Sequence, residues 1–373
     1  MRVKNILDGR AYQLTVSDGI ISELKEIPLE DGLPLVVPGG LVDTQVNGYL
    51  GHDYSDPAIT TADMEKISLE LARRGTLRHF ATIVTRPEQT ILSCIDAIVK
   101  ACNESEVVKN GLAGIHIEGN YISRLDGPRG AHDLEYVRPA SIEEFDRWYE
   151  HARGLLRYIT VGAEAEGVIP LIEHAVSKGV VVALGHTGAS AAQIDAAVQA
   201  GARVATHVGN GIFQLLDRFE NPLWPQLRNS GLAAGVIVDG CHVTPDLVWI
   251  ISRCKDPESI ILVSDLIACA GLPKGRMKWG NMDVEIVADG SVRLAGTPYL
   301  AGAGSHLLNN VYNYSVFTGK PLSQAFRAAT LNPIKMYGLD EKLTVLQKNR
   351  PADFVVSDGP VVVKAFLDGR EIV

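Results

Sequence analysis

Three apolar runs in the middle of this sequence end in residues that can bind a metal or move a proton. Gly114-Ile115-His116-Ile117-Glu118 closes on a carboxylate, Val180 to Gly185 closes on His186, and Ala202 to Thr206 closes on His207. Two imidazoles and a carboxylate at neighbouring strand ends make a ligand set for a catalytic divalent cation with an open position for water. The 21 positions from His186 to His207 hold a short loop, a helix over Ala191–Ala200 and a return strand, so the imidazoles are expected side by side. A fourth run, Ser259 to Ser264, ends in Asp265 at the same rim. A carboxylate beside an activated water can take its proton during attack and return it to a leaving nitrogen. That is hydrolysis of an amide-like bond. His116 lies two residues deeper than Glu118 and is expected to be a hydrogen-bonded core residue.

An earlier strand, Gly40-Leu41-Val42-Asp43-Thr44-Gln45-Val46-Asn47-Gly48, places Asp43, Gln45 and Asn47 on one face by its alternation. Neutral amides are poor metal ligands beside imidazole, so this strand is expected to line the site without binding a cation.

These residues need a frame. From about Pro38 to Leu339 short apolar runs alternate with stretches of helical period at Thr61–Gly75, Ile91–Cys102, Ile169–Lys178 and Ala191–Ala200. Such alternation implies a parallel sheet covered by helices, with polar residues at the C-terminal mouths of its strands. Both ends of the chain read as short strands broken by turns, at Ser17-Asp18-Gly19, Asp358-Gly359-Pro360 and Asp368-Gly369. The expected architecture is an α/β fold: a (β/α) barrel over 41–340 and a small β-domain from 1–40 and 341–373. An open doubly wound sheet is the alternative, though no GxGxxG follows the first strand.

Composition narrows the partners. The 373 residues are 46% apolar and 21% charged, and the net charge is −9 with no basic run, which argues against nucleic acid or anionic lipid. Five cysteines without a CxxC pair read as reduced thiols. The first residues lack the apolar run of a signal peptide and no window approaches a membrane span, so a cytoplasmic protein acting on a small molecule is expected.

In order, the motifs resemble those of the amidohydrolase superfamily and, within it, the N-acetylglucosamine-6-phosphate deacetylase family. They are Pro38 to Asp43, HIEG at 116–119, GHTGAS at 185–190, ATHVGNGI at 205–212, VDGCHV at 238–243, VSDLIACAG at 263–271, LAGAG at 300–304 and ATLNPIKMYGL at 329–339. The resemblance implies a distorted (β/α)8 TIM-like barrel with a small β-sandwich from both termini. It implies removal of an acetyl group from an N-acetylated amino-sugar phosphate of gluco or galacto configuration. Its implied metal ligands are Glu118, His186 and His207, its acid/base Asp265, and its carbonyl contact His242. His132 and Ala131, Asn210 and Gly211, Leu300, Ala301 and Gly302, and Gln45 and Asn47 fall at its substrate contacts. Arg218 would help to hold the phosphate, reaching in from a neighbouring subunit of a homodimer. Because Gln45 and Asn47 stand where most amidohydrolases have His-x-His, one cation per subunit is expected, Zn²⁺ on this donor set with Fe²⁺ also fitting.

The chain departs from the family at Gly211, where alanine is usual, along Ile212–Asp217, and at His306, where a small or apolar residue is typical. Two other readings stay open: an amidohydrolase of a cyclic amide or N-acyl amino acid, and a silent scaffold of the same fold.

Overall fold

In the computed structural model, which describes residues 1–279, 282–287, 291–296 and 300–373, eight parallel strands form one continuous sheet. They are β1 (Leu41–Val46), β2 (Thr76–Val84), β3 (Leu112–Glu118), β4 (Leu156–Val161), β5 (Val181–Leu184), β6 (Val204–Ala205), β7 (Ala233–Val236) and β8 (Ile260–Leu262). Each pairs with the next in chain order, and a parallel bridge from Val46 to Leu266 brings the last strand back to the first. The sheet is therefore a nearly closed barrel. Helices including Thr61–Arg73, Glu88–Glu104, Ile142–His151, Val168–Ser177, Ala191–Ala200 and Pro245–Cys254 follow successive strands.

Local sequence sets these boundaries. Thr60 with Asp63, and Ser190 with Gln193, form capping boxes that satisfy the first free N–H groups of their helices. The first helix stops at Arg73, short of the expected Gly75, which takes a positive φ of 95° to turn the chain into β2. Apolar helix faces meet the outer faces of the strands in a core that includes Met64, Ile67, Ile95, Phe145, Trp148 and Leu171.

The two ends of the chain meet as expected. Strands Arg2–Asn5, Ala11–Ser17, Ile20–Ile27 and Leu35–Pro38 join Phe354–Asp358, Val361–Leu367 and Arg370–Glu371 in one seven-stranded sheet. Leu14, Ile21, Val36, Phe354 and Phe366 pack together there. After β8, strands Gly275–Trp279, Met282–Ile286 and Val292–Leu294 form a further antiparallel sheet, which the sequence reading did not anticipate. It packs Val284, Ile286 and Val292 against Ile267 and Cys269, just beyond Asp265.

Arg78 of β2 ties the barrel to the terminal sheet through Asp353 at 2.8 Å, with side chains only 10% and 17% exposed. Arg78→Ala would leave a carboxylate enclosed without its partner, a loss of about 3 kcal/mol. A lower urea midpoint at unchanged m-value is the expected result.

Candidate active site

Glu118 is the last residue of β3, while His186, His207 and Asp265 follow β5, β6 and β8 within three residues of the strand ends. The last three take left-handed conformations, with φ of 47°, 30° and 54°. Each such residue costs about 1–3 kcal/mol and persists only where surrounding structure imposes it. Here the turn swings each side chain from the strand axis into the barrel mouth.

The donor atoms converge. His207 Nε2 lies 3.0 Å from Glu118 Oε1 and 3.1 Å from His186 Nε2, and His186 Nε2 lies 3.5 Å from the same oxygen. All three residues are buried. The His186 Nδ1–H donates to the Pro128 carbonyl at 3.1 Å, which fixes the tautomer and leaves Nε2 with a lone pair facing the cluster. Two imidazole nitrogens and a carboxylate oxygen, all within 4.8 Å of one another, are the donor chemistry of a divalent cation such as Zn²⁺. Burial pushes the Glu118 carboxyl up, but the adjoining His186 and His207 outweigh it and hold the group well below the usual range.

Gln45 and Asn47, expected to line the site, each hold a carboxylate in it. Gln45 Nε2 donates to Glu118 Oε1 at 2.8 Å, and Asn47 Nδ2 donates to Asp265 Oδ1 at 2.8 Å. Burial, followed by the charge of Glu118, pushes the Asp265 carboxyl up to about 6 against the opposing pull of His207, His242 and Asn47. His242 Nδ1 donates to Asp239 Oδ2 at 2.7 Å, while the other Asp239 oxygen accepts the N–H groups of Cys241 and His242.

His132, assigned by resemblance to a sugar hydroxyl, lies against the cluster with Nε2 3.2 Å from His186 Nε2 and Nδ1 2.7 Å from Thr85 Oγ1. Burial and the neighbouring His186 hold its pKa well below the ordinary value. Ala131 beside it is exposed. Gly130 and Gly211, both left-handed, bring their backbones against the His186 ring; a Cβ on Gly211 would stand 2.9 Å from Nδ1. Asn210 donates its N–H and its Nδ2 to the His207 carbonyl. Leu300, Ala301 and Gly302 run into Ala303, whose N–H donates to the Asp265 carbonyl at 3.1 Å.

His116 is a core residue, bonded to Thr82 and Thr160 and stacked on Tyr158 at 3.8 Å between centroids. Cys269 is a buried thiol pushed up to about 11 by burial. His306 precedes the helix Leu307–Thr318 and is hydrogen-bonded to Tyr49 at 3.1 Å. Arg218 lies on the surface, its guanidinium 4.4 Å over the Phe219 ring.

Sequence reasoning missed Thr85, the Pro128 carbonyl and Glu164, which accepts the Gly188 N–H at 2.7 Å and the Thr187 hydroxyl in the turn after His186. It also passed over Asp239, three residues before His242 in a motif already singled out; that spacing was a usable signal.

This geometry agrees with what the chain is related to. It belongs to the amidohydrolase family, whose model matches residues 35–372. Among amidohydrolases it is similar to N-acetylgalactosamine-6-phosphate deacetylase of Escherichia coli O157:H7, with 30% identity over 369 residues, covering 96% of this chain and 94% of the relative. It is similar also to N-acetylglucosamine-6-phosphate deacetylase of Bacillus subtilis, at 27% identity and coverage of 87% and 81%. The crystal structure of N-acetyl-D-glucosamine-6-phosphate deacetylase from Mycobacterium smegmatis superposes with a TM-score of 0.87 at 27% identity, across 100% of both chains.

Gln45→Leu removes the amide that orients Glu118 while keeping its bulk. Loss of such a support lowers cation affinity about 10–100-fold, measurable by titrating Zn²⁺ against a chelator.

Proposed function

We propose that this amidohydrolase removes the acetyl group from N-acetylglucosamine 6-phosphate, giving glucosamine 6-phosphate and acetate. The observation that carries the reading is a half-buried carboxylate, Asp265, raised to about 6 and set beside the Glu118, His186 and His207 cluster. A proton carrier next to a cation site is what hydrolysis of an amide requires.

Glu118, His186 and His207 hold one divalent cation, Zn²⁺ by the donor set. When bound, it supplies Lewis-acid activation of water and of the acetyl carbonyl. Asp265, steadied by Asn47, takes the proton of the attacking water and passes it to the departing nitrogen. His242 donates from Nε2 to the carbonyl oxygen as negative charge develops there, and the Asp239 carboxylate, accepting from Nδ1, orients the ring for that contact. Gln45 keeps Glu118 oriented toward the cation and is not itself a ligand. His132, Ala131 and the Leu300–Gly302 segment contact the sugar, and the turn at Asn210 and Gly211 contacts the phosphate. Residues 41–340 form the catalytic barrel, and 1–40 with 341–373 the supporting β-domain.

Arg218 completes the phosphate site from a second copy of the chain in a homodimer. The loop that carries it exposes Leu215 at 92% and Phe219 at 73%, and the helix Leu223–Arg228 that follows exposes Trp224 at 47%, apolar surface that a partner would cover. Sedimentation as a dimer is expected; a fully active monomer contradicts this part. Among the described residues no helix is long and apolar enough to cross a membrane, in keeping with a cytoplasmic enzyme.

The galactosamine epimer is the second reading, favoured by the 30% identity to the Escherichia coli relative. Acetate release by cation-loaded protein from both phosphorylated epimers and from the unphosphorylated sugar decides among them. Turnover of the glucosamine phosphate is expected; no release from any of the three contradicts the substrate class and points to a cyclic amide or N-acyl amino acid.

Asp265→Asn should cut kcat about 10²–10⁴-fold at unchanged metal content. Because the base acts ionised, kcat/KM falls toward acid; a bound cation lowers the Asp265 pKa from about 6, so the inflection lies at or below that value. An acid limb centred above pH 7 would assign the proton transfer to another group.

A further inference from the structure

Asp43, on the inner face of β1, is 1% exposed and takes no part in the chemistry above. Its Oδ1 accepts the N–H of Ser264 at 3.1 Å and that of Gln45 at 3.3 Å, whereas Oδ2 is buried without a hydrogen-bond partner. One of its donors immediately precedes Asp265; the other belongs to the residue that orients Glu118.

The reason for an acid here lies in the seam where β1 meets the end of β8. Regular pairing of β8 stops at Leu262, and Asp265 leaves the extended conformation with φ of 54°. The register of β1 with β2 also shifts between Asp43 and Val46. Backbone carbonyls are therefore out of step with the N–H groups that face them. Side chains fill the gaps: Thr82 Oγ1 accepts the Val46 N–H at 3.1 Å, Ser264 Oγ accepts the Leu266 N–H at 3.2 Å, and Asp43 accepts the Ser264 N–H. Beyond Ser264 the backbone seam resumes, with Asp265 N–H on the Gln45 carbonyl at 3.0 Å and Asn47 N–H on that of Leu266 at 2.7 Å.

We propose that Asp43 is a positioning residue for proton transfer: its Oδ1 replaces a missing ladder carbonyl and holds Ser264, so that Asp265 stays left-handed with its carboxylate beside the cation site. This rests on the reading of Asp265 as the proton carrier. What the site needs is one acceptor oxygen, and the unpartnered Oδ2 leaves the second oxygen dispensable. Burial also pushes the Asp43 carboxyl up to about 7, in keeping with a role that does not depend on charge.

Three substitutions test this in the cation-loaded, full-length enzyme. Asp43→Asn keeps an acceptor; Asp43→Ala removes both oxygens; Asp43→Leu removes them while filling the space, and stands in should the alanine variant not fold. Expected for Ala and Leu is a fall in kcat of about 30-fold or more, with KM within threefold and metal content unchanged. Asparagine should restore kcat to within about threefold of the parent. Amide exchange at Ser264, read without any substrate, should quicken in Ala and Leu and stay protected in Asn. Unchanged kcat in Ala and Leu overturns the proposal, as does an asparagine variant as impaired as they are. Parallel losses of metal or of KM overturn it too, since they make the role a structural one. If the parent turns over no acetylated sugar, the substrate reading has failed; unchanged Ser264 exchange would then overturn the positioning role separately.

Discussion

Three electron-rich atoms, Glu118 Oε1, His186 Nε2 and His207 Nε2, meet within 3.0 to 3.5 Å inside the mouth of a barrel. Groups of this kind repel or compete for protons unless a cation lies among them, and burial removes the water that would otherwise screen them. Much of the surrounding structure answers to that crowding. Gln45 supplies a donor to the carboxylate, the Pro128 carbonyl fixes one imidazole, and Gly130 and Gly211 bring the backbone within reach of the same ring.

The strand ends bear the conformational cost. His186, His207 and Asp265 all take left-handed backbone where an apolar strand would simply continue. The parallel sheet makes this sustainable. Its eight strands, buried on both faces along most of their length, give a rigid rim from which short turns can project side chains. On both sides of β1 the rim is irregular: Thr82 supplies the missing acceptor on the β2 side, and Asp43 and Ser264 supply those where β1 meets the end of β8.

How far this could be read from the chain depended on locality. A polar residue closing an apolar run marks a strand mouth, so Glu118, His186, His207 and Asp265 were legible one by one, and the spacing of the two histidines placed them on adjacent strands. Period-two alternation put Gln45 and Asn47 on the inner face but not onto particular carboxylates. Contacts made by loops were not legible, because they depend on where a turn lands in space: His132 against His186, Thr85 on His132, the Pro128 carbonyl on His186. The three-stranded sheet after β8 was missed as well; its strands are only three to five residues long, although Gly275–Trp279, Met282–Ile286 and Val292–Leu294 alternate with charged residues at every second position, a usable signal. Arg218 shows a different gap. Its proposed role needs a second chain, and in one chain it lies on Phe219 at the surface.

The central claim is that the Glu118, His186 and His207 cluster holds one cation with Asp265 beside it as a free base. Anomalous diffraction from crystals grown with zinc tests it most directly. The account predicts a single peak about 2.0–2.2 Å from one Glu118 oxygen and from the Nε2 atoms of His186 and His207, with Asp265 still on Asn47. A second peak at Gln45 and Asn47, or a peak coordinated by Asp265 in place of a histidine, would contradict it.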